Sequence, residues 1–177
     1  IGRRAGFRCQ WPQGRGSSSL LLGTIWIVFL AGFISRKPLP PFPASQGTTS
    51  DMTAEIHHRD LSPAAAQSLA AAGVVAIDTA AMGLRHGRDR LCVVQLSGGD
   101  GQAHLVTFDA AGHKAPNLVA LLTNQKVLKL FHFARFDVAA LYSYFGVVTA
   151  PIYCTKIASR LARTFTQHHS LRTLCRD

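Results

Sequence analysis

Acidic residues are scarce in this chain: nine Asp and Glu stand against nineteen Lys and Arg, for a formal net charge of +10. Residues 1–51 hold six basic residues and one acid, and residues 52–177 hold thirteen and eight, so each part carries +5. The longer part is therefore only mildly basic. That fits a polyanion partner but is also common in domains without one. Paired cysteines are lacking too. Cys9, Cys92, Cys154 and Cys175 show no CxxC spacing, which argues for unpaired thiols in a reducing compartment over disulfides or zinc. Methionine is absent from the first position and first occurs at Met52. Long apolar runs are missing except for Leu20–Ile34, within an uncharged stretch flanked by Arg3, Arg4, Arg8 and Arg15 before and Arg36 and Lys37 after.

That run is short for a membrane span and suits a signal-like segment better, yet no small-x-small cleavage site follows it at the usual distance. A Pro/Ser/Thr-rich linker, KPLPPFPASQGTTS, comes next and reads as disordered. Three readings stand: a membrane anchor, an export signal, or upstream sequence translated from a mis-assigned start. Met52 opening a sensible domain favours the third. The expected division is thus 1–51 as an apolar segment plus linker and 52–177 as the folded domain.

The body turns on Val74–Ser97, VVAIDTAAMGLRHGRDRLCVVQLS. Two β-branched, strand-like runs, Val74–Thr79 and Leu91–Ser97, flank a polar connection containing Gly83 and Gly87. Before them, Leu61–Ala72 reads as a helix with Ser62 as N-cap, Pro63 at the first helical position and Gly73 closing it. GGDG at Gly98–Gly101 signals a hairpin, and His104–Phe108 is a third strand. Pro116–Leu122 is a short helix, Val127–Phe131 a fourth strand, and Ala134–Phe145 a helix with Val138, Leu141 and Phe145 on one face. Ile152–Tyr153 is extended, and Thr155–Phe165 and Ser170–Arg176 are helical. Three strands on short connections, followed by alternating helices and strands, imply an α/β layer fold with a mixed sheet. The chain stops at Asp177 without a closing element, so a truncated domain is expected.

Asp78 ends the first strand. An ionised carboxylate there is costly unless a partner or metal compensates it. Position 80 lies on the same face of the strand. A second carboxylate there would make a divalent-metal pair, but position 80 is Ala. Alone, Asp78 reads equally well as an acid capping a turn. Asp137, in FHFARFD, either complements the dipole of its helix or is a second carboxylate brought beside Asp78. His132 reads more readily as a packed histidine than as a ligand. Lys156, Arg160 and Arg163, at i, i+4 and i+7, form a basic stripe beside an apolar one of Ile157, Leu161 and Phe165. The basic stripe is either a solvated face or a phosphate-tracking one. Tyr142 and Tyr144 are candidates for base stacking, while Phe145 belongs to the core.

Three blocks, VVAIDTAAMGL…RDRLCVVQLS, KLFHFARFDVAALY and IYCTKIASRLARTFT, occur in an order that resembles the ribonuclease D-like 3′–5′ exonucleases of DEDD type, in their short bacterial form. The resemblance covers Met52–Asp177. It implies a ribonuclease H-like fold, a mixed sheet flanked by helices, incomplete at the C-terminus. It implies phosphodiester hydrolysis at single-stranded RNA 3′ ends, tRNA precursors among them, by two Mg²⁺ or Mn²⁺ ions, with release of nucleoside monophosphates. The family's Asp-x-Glu motif maps to Asp78 and Ala80, so one metal ligand is lost. Its aromatic–Asp motif maps to Phe136–Asp137. The third motif, a Tyr or His preceding an Asp, is expected beyond Leu171–Asp177. The resemblance also places Met82 and Leu84 near the terminal nucleotide. His132 and Phe136 join Lys156, Arg160 and Arg163 as nucleic-acid-binding candidates. The implied protein is cytoplasmic, unless residues 20–34 anchor it to a membrane, and weak or inactive as an enzyme. The alternatives are a non-catalytic nucleic-acid-binding module on the same fold and a membrane-tethered interaction protein.

Overall fold

The computed structural model describes residues 53–85, 87–109 and 114–176. The apolar run at 20–34, its linker and Met52 lie outside the described residues. No helix among the described residues is long and apolar enough to cross a membrane.

A six-stranded mixed sheet runs in the order β1-β4-β3-β2-β5-β6. Its strands are β1 (Thr53–His58), β2 (Val74–Ala81), β3 (Leu91–Ser97), β4 (Gln102–Thr107), β5 (Leu128–Phe131) and β6 (Ile152–Cys154). The helices are α1 (Pro63–Ala72), α2 (Pro116–Thr123), α3 (Ala134–Phe145), α4 (Thr155–Ala162) and α5 (Leu171–Arg176). β2, β3 and β4 form an antiparallel meander. β5 and β6 extend it in parallel beyond β2, and β1 pairs in parallel with β4 at the other edge. The two central strands carry the apolar runs. Val75, Ala76, Ile77, Leu91, Val94 and Leu96 are at most 2 % exposed, and neighbouring residues alternate faces, so β2 and β3 are covered on both faces as a central strand requires.

Local chemistry sets the boundaries. Ser62 caps α1 by accepting from Ala65 N at 3.2 Å, and Pro63 needs no donor at the first helical position. Gly73 ends the helix in a left-handed conformation, φ 74°. At α2 the residue at the cap position, Ala115, offers no side-chain oxygen. The loop after β1 supplies one instead: the Asp60 carboxylate accepts from Asn117 N at 3.0 Å and Leu118 N at 2.9 Å. A cap borrowed from more than fifty residues away welds the β1 loop to α2 and satisfies two orphan donors.

Two features depart from the sequence reading. β1 was not expected. TAEIHH lacks an alternating apolar pattern because it is an edge strand whose residues are exposed except for His57. Its pairing comes from the β4 backbone rather than from a hydrophobic face. The helix expected over Thr155–Phe165 ends at Ala162, and Arg163 leaves helical geometry as its N–H bonds Ser159 O at 2.8 Å. Thr164, Phe165 and Thr166 are weak helix formers and do not carry it further.

Lys129 is the unexpected core residue. It sits in β5 with no solvent exposure. Its ammonium donates to the carbonyls of Asn124 (2.6 Å), Val127 (3.0 Å) and Ala150 (2.5 Å), so all three N–H groups are used. Burial pulls its pKa down to about 8. The three carbonyls belong to the turn before β5 and the loop before β6, so one side chain holds both segments to the sheet. Lys129→Met should leave those carbonyls without their donor and lower stability by about 1–3 kcal/mol. Urea unfolding of parent and variant measures this, and an unchanged midpoint would show that the ammonium is dispensable.

Candidate active site

The end of β2 is shaped by a register irregularity between Ala80 and Ala81, where the partner shifts from Val93 to Leu91. Such a bulge re-aims side chains at a strand end. The connection to β3 is then closed by Asp89. Its carboxylate accepts from Arg85 N (3.0 Å), Arg88 Nε (2.7 Å) and Arg88 Nη2 (2.9 Å), and these bonds, the Arg88 side chain foremost, hold its pKa down to about 2. A Cβ at Gly83 would push on the Asp89 carboxylate and displace it from these bonds. The folded loop leaves Met82 and Leu84 outward, 59 % and 81 % exposed.

Opposite β2 stands the start of α3. Phe133 is left-handed, φ 70°, an uncommon conformation for a bulky aromatic. It turns the chain sharply from β5 into the helix and places Asp137 in the first turns, pointing at β2. Asp137 is buried, and its Oδ1 accepts from both Thr79 N (3.1 Å) and Thr79 Oγ1 (2.7 Å). The second motif residue is thus clamped to the residue that follows Asp78.

Burial pushes the Asp137 carboxyl up to about 7, with the charge of Asp78 adding to the rise and the Thr79 bonds opposing it. Asp78 is raised as well, by burial, against a hydrogen bond from Thr79. No basic side chain contributes to either shift. Two neighbouring carboxylates without a cationic side chain form a donor set for a hard divalent ion such as Mg²⁺ or Mn²⁺. They fit such an ion. Ala80 offers no oxygen where a third carboxylate would stand.

The chain matches the 3′–5′ exonuclease family model over residues 54–177. It belongs to that 3′–5′ exonuclease family. Ribonuclease D of Acidiphilium cryptum is 37 % identical over 94 residues, 53 % of this chain and 24 % of that protein. Ribonuclease D of Gluconacetobacter diazotrophicus is 31 % identical over 122 residues, 69 % of this chain and 28 % of that protein. Among solved structures, Brucella melitensis NrnC bound to pGG is 48 % identical, with a TM-score of 0.66 over 70 % of this chain and 59 % of that one. The same protein with bound Mg²⁺ gives the same identity and TM-score over 60 % of its length. The chain spans about a quarter of the ribonuclease D proteins and under two thirds of the NrnC structures.

The remaining candidates of the exonuclease domain divide by position. Phe136 is half-buried on α3 beside Asp137. His132 is half-buried, with Nδ1 2.9 Å from Thr155 Oγ1, while that hydroxyl lies 3.2 Å from Phe131 O. Burial, then the charge of Lys156, hold the His132 pKa below its ordinary value. This histidine joins β5 to the start of α4. Lys156 lies over the Phe133 ring, 4.5 Å from its centroid, at the turn into α3. Arg160 is exposed on the same helix. Arg163 has left the helix and stacks 5.7 Å from the Phe165 ring, so the expected three-residue stripe is a two-residue one. α4 also inverts the usual amphipathic rule. It buries Thr155 and Ser159, and Ser159 Oγ lies 2.9 Å from buried His169 Nδ1, while Ile157 and Leu161 are 59 % and 76 % exposed.

The Asp137 titration gives a test with a defined sign. Its pKa is 3.8 when unperturbed and about 7 in the fold, so the native state binds the proton more tightly and this group costs stability as pH rises from about 4 to about 7. Asp137→Asn keeps an oxygen for Thr79 without the charge. In metal-free buffer the variant should melt a few degrees above the parent at pH 8, with the gain shrinking toward pH 5. A gain independent of pH would disprove the assignment.

Proposed function

We propose that this domain, with residues 52–177 as the folded unit and residues 1–51 as a separate segment, acts on the 3′ ends of single-stranded RNA and releases nucleoside monophosphates. The observation that carries this is the pair of uncompensated carboxylates, Asp78 and Asp137, held together through Thr79 within a 3′–5′ exonuclease domain. Asp78 and Asp137 would hold Mg²⁺ or Mn²⁺, and bound divalent ions supply charge stabilisation of the attacking and leaving oxygens in an in-line displacement at phosphorus. The Thr79 bonds occupy Oδ1 of Asp137 and leave Oδ2 for a metal. Met82 and Leu84 present apolar surface beside the end of β2, suited to pack on a terminal nucleotide. Lys156 and Arg160 neutralise backbone phosphates further along the strand, with His132 and Phe136 as scaffold beside them. The relative solved with pGG makes a two-nucleotide RNA a sensible minimal substrate, with tRNA precursors among the longer ones. The protein would work in the cytoplasm.

Ala80 weakens this copy. A metal that loses one carboxylate is held less tightly and less exactly in place, and catalysis depends on placement. Residues 1–177 should release little or no mononucleotide from 3′-labelled single-stranded RNA or from pGG with Mg²⁺ or Mn²⁺. Ala80→Glu should tighten Mn²⁺ binding about tenfold, or ~1.4 kcal/mol, and Asp78→Asn should abolish it. Robust release by the unmodified chain would mean the ligands are assigned wrongly.

RNA binding without turnover is the second reading, and half-buried Lys156 with exposed Arg160 one turn on favours it. Replacing Lys156 and Arg160 together by Ala should reduce the salt dependence of RNA affinity by about 1.4 logarithmic units, ~0.7 per lost phosphate contact. An unchanged slope would return both residues to an ordinary solvated surface.

A further inference from the structure

A second cluster of ligating side chains lies at the opposite edge of the sheet. Glu55 and His57 are two apart on β1 and so share a face. The β1–β4 register sets Glu55 beside His104. Both histidines are buried, at 7 % and 4 % exposure, while Glu55 reaches solvent. His57 Nε2 is 3.1 Å from His104 Nδ1. Glu55 Oε2 is 3.4 Å from His104 Nδ1 and 3.7 Å from His57 Nε2.

A hydrogen bond between the imidazoles explains the shortest of these distances and nothing else. The carboxylate oxygen faces both rings at distances longer than an ordinary hydrogen bond, with a weak bond to His104 the nearer of the two. Metal coordination explains all three. Ligands at about 2.0–2.1 Å from a tetrahedral ion are ~3.3 Å apart, and the observed triangle of 3.1, 3.4 and 3.7 Å brackets that edge. Two imidazoles and one carboxylate match Zn²⁺ rather than Mg²⁺. We propose that Glu55, His57 and His104 form a Zn²⁺ site, completed by water on the exposed side, that fastens edge strand β1 to β4.

Two further observations support this. Asp100 adds negative charge near His104, beside that of Glu55, as a cation site requires. The cluster is also separate from the Asp78 cleft: β4 and β3 intervene between β1 and β2, three strand spacings or ~14 Å. Apart from its backbone pairing with β4, β1 has little to hold it, since its other side chains face water. The paucity of paired cysteines, which argued against zinc from sequence, does not bear on a site made of histidine and carboxylate.

The test is a Zn²⁺ titration of the metal-free 177-residue chain against a chromophoric chelator. One Zn²⁺ per chain is expected, and His57→Gln or His104→Gln should weaken binding by about 10–100-fold. Glu55→Gln alters an exposed residue and so keeps the fold. It should weaken binding about tenfold and reduce the rise in melting temperature that Zn²⁺ gives the parent. Asp78→Asn should leave Zn²⁺ affinity unchanged, which separates this site from the cleft. Co²⁺ in place of Zn²⁺ should show the visible bands of tetrahedral nitrogen and oxygen coordination. Thiolate-to-cobalt charge-transfer absorption, or Zn²⁺ affinity undiminished in all three site variants, would overturn the proposal.

Discussion

The two hydrogen bonds from Thr79 to Asp137 are the joint on which the cleft depends. They link β2 to α3 across a sequence separation of 58 residues, and they use one oxygen of a buried acid whose pKa has risen to about 7. A buried carboxylate with no basic partner is unfavourable in isolation. The fold offsets part of that cost with the Thr79 donors and leaves the rest as an attraction for a cation. The same joint explains why Phe133 tolerates a left-handed backbone: only a sharp turn out of β5 lets the first turns of α3 face β2.

Lys129 plays the complementary part on the other side of β5. The acid in the cleft has no basic partner, whereas this buried amine is satisfied by three carbonyls. Both groups are desolvated and both have shifted pKa values, in opposite directions. What separates them is whether the hydrogen-bonding capacity is filled. Lys129 has no donor to spare, while Asp78 and Asp137 retain acceptor oxygens. A perturbed pKa by itself would not have told a scaffold residue from a site residue.

Much of the architecture can be read from the chain because its signals are local. Ser62, Pro63 and Gly73 delimit α1, GGDG joins β3 to β4, and the β-branched runs mark β2 and β3. Ala134–Phe145 is the helix its periodicity implies. Apart from the end of α4, which weak helix formers set locally, the failures are non-local. β1 has no pattern of its own and exists because β4 offers an edge. The cap of α2 comes from Asp60, a long way back in the chain. α4 hides Thr155 and Ser159 because His132 and His169 are there to bond them, and no helical wheel contains that information. In the cleft, Asp78 and Asp137 each stand out as acids in apolar surroundings, but the Thr79 clamp that relates them is visible only in three dimensions.

The same contrast decides what the centre and the β1 edge of the sheet can bind. On β2 and α3 the donors are oxygens alone, buried and mutually repelling, a set that suits a hard ion. On β1 and β4 two imidazoles and one carboxylate converge on a spacing that a smaller coordination shell satisfies. A hard ion would gain little from the imidazoles, and a zinc ion in the acidic cleft would forgo the nitrogen ligands it prefers. Donor chemistry keeps the two distinct even in a mixture of metals. A cation at the β1 edge would therefore not compete with one held by Asp78 and Asp137, and a change at position 80 would not loosen the edge.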